Sequence, residues 1–348
     1  MENNKLIYTV IKTAVENGIR YIEDNPKRGV RNLLDLGEYF ASGNFQKNFF
    51  KLSHEILSNE NSFYYNIIDS LVKEISHKKL TVFGINIGYN SFTYGTRTIR
   101  ENEKKLGYNI PWAIVFNFEN DDHIELTEEE LLKIISAGKK VGIYSYFILL
   151  EKNMPLKALS NILLENDDCA FTLFVEPDAL NYDVIEKLSL HSNLCIFVSI
   201  NCDKKNKTAT EKFNVLKKHR CLCGLSYSYD DKNADYILSG KSAETMMSLK
   251  TNFAMYIKKR SCNIKTAQEI RNFINSLRVK DNYPVFMMDL YGDLERINEI
   301  ISVKSCFLSI NSRGQISISD SLNETSLNIQ NKSLNEILAS TMPKAKYT

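Results

Sequence analysis

The strongest constraint on the fold is an alternation of strand-like and helix-like segments between Trp112 and Met288. Short apolar runs recur there, and segments of helical length separate most of them. Thr127 and Glu130 form a capping-box signature at the start of the first helix. Repeated strand–helix units with apolar strands predict an α/β fold with a parallel sheet, curved into a partial or complete barrel. Seven strands are predicted, at residues 112–117, 141–150, 169–175, 194–200, 225–229, 253–257 and 284–288.

The segments on either side of this repeat differ from it in character. Residues 1 to about 78 carry apolar side chains at helical spacing, and Pro26 is expected to separate two helices. Residues 86–97 are interpreted as a turn-rich connector. After the repeat, Arg313–Gly314 predicts the turn of a β-hairpin, and a last short helix is expected to be capped near Asn331–Ser333.

The composition excludes several classes of protein. The chain has 348 residues and a net charge of +2, which gives no basic face for nucleic acid. Its longest apolar runs are too short for a membrane span, and the N-terminus lacks the layout of a signal peptide, so the expected location is the cytoplasm. The seven cysteines form no CxxC pair, and no disulfide framework is expected. His123 with its acidic neighbours is interpreted as a helix N-terminus, so no metal site is expected.

Seven stretches, in order along nearly the whole chain, resemble a bacterial subfamily of radical S-adenosylmethionine (SAM) proteins. The resemblance implies a helical N-terminal region, a partial (βα)6 barrel and a small C-terminal α+β region of the SPASM type. The boundaries expected from it are 1–108, 109–290 and 291–348. The stretches are RNLLDLGEYFASGNFQK, YNIPWAIVFNF, AGKKVGIYSYF, ENDDCAFTLF, YPVFMMDL, FLSINSRGQISIS and LNIQNKSLNEIL.

The sequence departs from this family where the family binds its cofactors. Members follow the PWAI strand with a CxxxCxxC loop that ligates a [4Fe–4S] cluster, whereas no cysteine lies here between Phe118 and Thr127. The Gly-Gly-Glu-Pro turn that approaches SAM is replaced by LLEK, in which Leu149 and Leu150 stand for the glycines and Glu151 keeps the carboxylate. On these grounds neither SAM nor an iron–sulfur cluster is expected.

In such barrels the functional face is the carboxyl end of the strands. Glu151 and Glu176 would suit acid–base chemistry if they lay close together. The candidate ligand-binding residues at this mouth are Asn117, Glu119, Glu151, Glu176, Asn201, Tyr229, Lys258, Arg260 and Asp289.

Two classes of function follow from the resemblance and its departures. The favoured hypothesis is a catalytically inactive radical SAM-like protein that binds an active radical SAM homologue, a peptide or a small molecule. The alternative is an enzyme with non-radical chemistry in a rewired mouth, which would need convergent groups with shifted pKa values. A homo-oligomer with the mouth as its interface is a third alternative.

Overall fold

Six α-helices and a π-helical segment make up the N-terminal part of the chain. Pro26 begins the second helix, as predicted, at a position where its missing N–H group has no cost. A small apolar core that includes Ile22, Val30 and Val72 holds the first four helices together. The helices are α1 (Glu2–Asp24), α2 (Pro26–Tyr39), α3 (Asn44–Ser58), α4 (Phe63–Glu74), α5 (His77–Ile85) and α6 (Thr96–Leu106), with the π-helix at Asn86–Gly95. The computed structural model describes residues 2–39, 44–118, 124–150, 156–201, 206–278, 283–302, 306–319 and 324–344.

The segment predicted as a turn-rich connector is helical instead. Its polar residues bond to the strand-bearing part of the chain: the Asn86 amide donates to the carbonyl oxygens of Asp167 and Cys169, both at 2.8 Å. Ser91 shares a hydrogen bond of 2.7 Å with Ser145. The prediction failed because the glycines and polar residues of this segment support long-range packing, which local turn propensities do not reveal.

Seven parallel strands follow in chain order, as the alternation predicted. The Thr127–Glu130 capping box is present at the start of the first helix after β1. The strands are β1 (Ala113–Phe118), β2 (Ser145–Leu150), β3 (Ala170–Val175), β4 (Leu194–Ser199), β5 (Leu222–Tyr229), β6 (Phe253–Lys258) and β7 (Phe286–Asp289). The helices are α7 (Glu128–Val141), α8 (Leu156–Glu165), α9 (Tyr182–Leu188), α10 (Lys207–Lys218), α11 (Ala234–Leu238), α12 (Lys241–Ser248), α13 (Ile264–Leu277) and α14 (Leu290–Ser302).

The C-terminal part confirms the predicted hairpin and adds it to the same sheet. Strands β8 (Leu308–Asn311) and β9 (Gln315–Ile318) are antiparallel, and Gly314 takes a φ of 76° in the turn. Strand β10 (Glu324–Asn328) follows, and helix α15 (Leu334–Thr341) begins with a capping box formed by Ser333. The sheet order is β10-β9-β8-β1-β2-β3-β4-β5-β6-β7, with β8 parallel to β1. Eight adjacent strands are therefore parallel, where the resemblance implied six repeats.

A hydrogen bond between β1 and the helix that follows β7 shows that the sheet is strongly curved. Asn117, on β1, lies 3.5 Å from the hydroxyl of Tyr291, which follows β7 by two residues. In a flat sheet, six strand spacings would separate β1 from β7 by roughly 29 Å. The Tyr291 ring also stacks on Phe307, which precedes β8, at 5.0 Å. Tyr291 therefore occupies the space between the two ends of the parallel array. The mixed α/β class predicted from the sequence is confirmed.

Helix α4 lies at the amino ends of β5, β6 and β7, and α5 lies beside β4 and the amino end of β5. Arg220, just before β5, donates to the carbonyl oxygens of Lys73 and Ile75 at the end of α4. Lys217 pairs with Glu74 at 2.9 Å. The basic cluster of residues 217–220 thus joins the N-terminal helices to the sheet. The carboxyl ends of the strands face the opposite side.

Candidate functional site

The two faces of the strands are distinguished by their contacts. The Tyr146 hydroxyl donates to the carbonyl oxygens of Ile135, in the middle of α7, and of Ile143, just after α7, each at 3.1 Å. The Tyr146 ring stacks between Phe116 and Phe171. These side chains face the helices, and because side chains alternate along a strand, their neighbours in sequence face the interior of the curved sheet.

An aromatic floor lies in this interior. Phe174 and Phe197, on β3 and β4, stack with ring centroids 5.2 Å apart. Gly224 on β5 provides space for this pair, because a Cβ atom there would lie 2.6 Å from the ring of Phe197 and 2.7 Å from the carbonyl oxygen of Phe253. Both rings are buried. The interior is therefore closed below the level of these two side chains.

Polar and small side chains stand above this floor at the strand ends. Ser199 ends β4 two residues beyond Phe197, and Ser228 lies four residues beyond Gly224 on β5, so both share the inward face. Both are half-buried, as is Met288 on β7. The described part of the mouth thus combines hydroxyl groups with an apolar base. We call Asn117, Ser199, Ser228 and Met288 the inner rim.

Four of the sequence-predicted residues lie at or near this mouth. Asn117 is buried and bonded to Tyr291. Glu176 lies two residues beyond Phe174, and Asn201 lies two residues beyond Ser199. Both are exposed. Arg260 is exposed two residues after β6. No hydrogen bond among the described residues joins these four to one another. Glu119 and Glu151 lie outside the described residues.

Three other predicted residues face the helical layer instead. Tyr229 and Lys258 lie two residues beyond Tyr227 and Tyr256. Tyr227 stacks on Tyr236 of α11, and Tyr256 shares a hydrogen bond with a serine of α12. Alternation places Tyr229 and Lys258 on the same outer face. All three of Tyr229, Lys258 and Asp289 are buried.

Asp289 has a clear structural role. It caps helix α14, because one of its carboxylate oxygens accepts the Gly292 N–H at 2.7 Å. The Tyr229 hydroxyl donates to the other oxygen at 2.6 Å, and Arg271 Nε donates at 3.3 Å to the same oxygen that accepts from Gly292. Burial raises the pKa of Asp289, and the positive charge of Arg271 opposes that rise. These bonds direct the carboxylate toward α13 and α14.

The inner-rim residues Ser199, Ser228 and Met288 were missed in the sequence. A signal for them exists: the tyrosines at 227, 229 and 256 are large aromatic residues at alternate strand positions, which is typical of a face packed against helices. The residues between them then face the other way. Tyr229 and Lys258 were predicted because they lie at strand ends, and the alternation of faces along each strand was not considered.

The resemblance described from the sequence implies a cluster held by thiolates, and the described residues provide no such set. The six cysteines in the described part of the chain are all buried. Burial raises the pKa of Cys169, Cys195 and Cys223, which favours the thiol over the thiolate that binds metal. Within the described ranges, no three His, Cys, Asp or Glu side chains are grouped as a metal ion requires. No reaction step is therefore assigned to a cluster.

Comparisons with known proteins establish the fold. No family model and no curated protein matches the sequence. The architecture is that of a radical SAM-like fold. It is similar to the crystal structure of Streptococcus suis SuiB bound to S-adenosylmethionine, with 12% identity, 80% of each chain covered and a TM-score of 0.51. It is also similar to SuiB bound to the precursor peptide SuiA, with 10% identity, 80% of this chain and 81% of that chain covered, and a TM-score of 0.50.

This comparison corrects one expectation drawn from the sequence. The replaced cofactor motifs predicted a protein with neither SAM nor an iron–sulfur cluster. The finding against that prediction is that a protein with the same fold, SuiB, holds S-adenosylmethionine in its crystal structure. The sequence argument was wrong to infer the loss of a cofactor from loop motifs alone, since residues 119–123 and 151–155 of this chain lie outside the described residues.

The described helices were also compared with the length and hydropathy of a membrane span. None of the helices in the described residues is both long enough and apolar enough to cross a bilayer.

Proposed function

We propose that the protein binds a peptide across the carboxyl ends of its parallel strands and acts as a binding or regulatory partner, not as a catalyst. The observation that carries this proposal is the inner rim above a closed aromatic floor, in a fold shared with a peptide-bound protein. The partner is either a free peptide or a peptide segment presented to, or by, an active radical SAM enzyme. The three regions 1–108, 109–290 and 291–348 remain the proposed domain boundaries.

The chemistry of the inner rim suits an extended peptide. Ser199 and Ser228 carry hydroxyl groups that both donate and accept hydrogen bonds, as the N–H and C=O groups of a peptide backbone require. The aromatic floor below them offers an apolar contact for a side chain. The exposed Glu176 and Arg260 lie near different strand ends and supply charges of opposite sign. A peptide backbone with an apolar side chain directed inward fits this arrangement.

The proposal of a non-catalytic role is supported by where the reactive groups lie. Asp289, at the end of β7, has a raised pKa, but its carboxylate caps a helix in the outer layer and does not face the inner rim. The alternative of non-radical catalysis would need such a group at the inner rim. The proposed binding role does not require SAM, so the test below measures peptide binding with and without SAM.

Panning of a random peptide library against the full-length protein tests this function. Ser228→Trp and Ser199→Trp each place a large ring over the floor and should reduce binding of the enriched peptides by about tenfold or more, equivalent to about 1.4 kcal/mol. Ser248→Trp is the matched control, because Ser248 is exposed on α12 and is expected to leave binding unchanged.

The binding measurement is repeated with SAM added. Peptide binding that is lost in the two rim variants and kept in the control supports the proposal, with or without SAM. Failure to enrich any peptide, or equal binding by all variants, contradicts it. Turnover of the peptide in the presence of SAM and a reductant would contradict the non-catalytic part of the proposal and leave the binding part intact.

A further inference from the structure

A buried lysine lies against a cysteine where the N-terminal helices meet the sheet. Lys79, in the first turn of α5, is 7% exposed. Its Nζ lies 3.1 Å from the carbonyl oxygen of His219 and 3.5 Å from Sγ of Cys221. Among the described residues, no carboxylate lies within ion-pair distance of Lys79. A buried ammonium without a counter-charge is unfavourable, so the neighbouring thiol is the group able to compensate it.

The backbone around Cys221 is held in a fixed position. Arg220 takes a φ of 51°, which is uncommon for a residue with a side chain. Two hydrogen bonds from the Arg220 guanidinium to the end of α4 maintain this turn. The N–H of Ser76, which precedes α5, donates to the carbonyl oxygen of Arg220 at 3.0 Å. Cys221 is thereby fixed against the N-terminus of α5, and the contact with Lys79 is preorganised.

A small cavity reaches this cysteine from the surface. Its lining includes Cys221 and Cys223 together with Lys217 and Lys250. The cavity has a volume of about 10 Å³, close to the space that one water molecule needs. Burial raises the pKa of Cys221, whereas the nearby charge of Lys79 opposes that rise. The resting thiol is thus expected to react more readily as the pH increases.

We propose that Lys79 and Cys221 form an oxidative modification site, at which hydrogen peroxide produces a covalent sulfur–nitrogen link between α5 and β5. In the first step the Cys221 sulfur attacks one oxygen of peroxide, the O–O bond breaks, and the other oxygen leaves as water after taking up a proton. Sulfur is oxidised by two electrons to a sulfenic acid, and peroxide is reduced.

The second step needs no further oxidant. The Lys79 ammonium first gives up a proton to solvent, its nitrogen then attacks the sulfur, the S–O bond breaks, and the hydroxyl leaves as water with a second proton from the nitrogen. The product is a sulfenamide, and the protein has lost two hydrogen atoms in total. A dithiol reductant reverses the link by attack on the same sulfur.

Cys223 is the competing nucleophile for the sulfenic acid. It lies on β5, two residues beyond Cys221, which directly precedes that strand. The lysine nitrogen is already in contact with the sulfur, whereas a disulfide between two residues at alternate positions of one extended strand would need a distorted geometry. The contact therefore favours the lysine.

Peptide mapping of the full-length protein after peroxide treatment tests the site. We expect a peptide that contains Lys79 joined to one that contains Cys221, with two hydrogens lost and the link released by dithiothreitol. Cys223→Ser is the matched control and should retain the link. Lys79→Arg keeps the positive charge and should abolish it, leaving a sulfenic or higher acid at Cys221.

Stability provides a second measurement on the unaltered sequence. A link between α5 and β5 should raise the midpoint of urea unfolding, and reduction should restore the original value, because the cross-link constrains the unfolded chain. A Cys221–Cys223 disulfide in the wild-type protein, an unmodified Cys221, or a link that persists in Lys79→Arg would overturn the proposal. If Lys79→Arg does not fold, the peptide map of the peroxide-treated wild-type protein tests the proposal alone.

Discussion

Replacing Phe197 by alanine tests whether the interior floor is a packed core. Phe197 is 2% exposed, stacks on Phe174 and fills the space that Gly224 leaves open. Truncation of a buried phenylalanine costs about 3–5 kcal/mol, which includes the cavity left behind. The upper part of this range is expected, because the stacked pair itself contributes about 0.5–1.5 kcal/mol.

The single tryptophan of the chain provides the assay. Trp112, just before β1, is 5% exposed, and its indole N–H donates to Leu294 at 3.1 Å. Its fluorescence therefore reports unfolding of the sheet during urea titration. Phe49→Ala, the same change at a side chain 53% exposed on α3, is the matched control and should alter the free energy of unfolding by less than about 0.5 kcal/mol. Equal and small effects of the two substitutions would refute a packed floor.

Three further substitutions test other parts of the account. Asp289→Ala should destabilise the protein by about 2–4 kcal/mol in urea unfolding, since it removes a helix cap and leaves buried partners unpaired. Burial raises the pKa of Asp289. The contribution of this carboxyl group's ionisation to stability is therefore most favourable below its ordinary pKa and is lost as the pH rises through the raised value. Gly224→Ala should cost about 1–3 kcal/mol by pushing a Cβ against Phe197, and a neutral result would contradict the close packing there. Thr127→Ala should cost about 1 kcal/mol. The pKa of Glu130 is lowered chiefly by the Thr127 backbone N–H, so this contribution is present above the ordinary carboxyl pKa and is lost as the pH falls. Because Thr127→Ala keeps this backbone N–H and loses the hydroxyl bond to Glu130, the difference between the melting curves of wild type and variant should shrink only in part at low pH, and full convergence would contradict it.

The elements that could be predicted from the sequence are those fixed by local pattern. The seven parallel strands follow from apolar runs buried on both faces. The capping boxes of Thr127 and Ser333 and the turn at Gly314 follow from residues whose side chains or backbone freedom act within a few positions.

What could not be predicted depends on contacts between distant residues. Strand β8 lies beside β1, although about 190 residues separate them in sequence, because β1 has an open edge that β2 does not cover. The π-helix at Asn86–Gly95 is stabilised by hydrogen bonds that the side-chain amides of Asn86 and Asn90 donate to backbone carbonyl oxygens before β3. Of the candidate site, Asn117 could be predicted from its position at a strand end. The orientation of Tyr229 could not, because the strand-end rule does not say which face a residue occupies.

Photo-crosslinking at the inner rim tests the central claim most directly. A photoreactive benzoylphenylalanine is placed at Ser228 in one variant and at the exposed Ser248 in another, and each full-length protein is irradiated with an enriched peptide. The account predicts that the peptide becomes joined to the protein labelled at position 228, and not to the protein labelled at 248. Crosslinking from 248 with none from 228 would contradict a peptide site at the carboxyl ends of the strands.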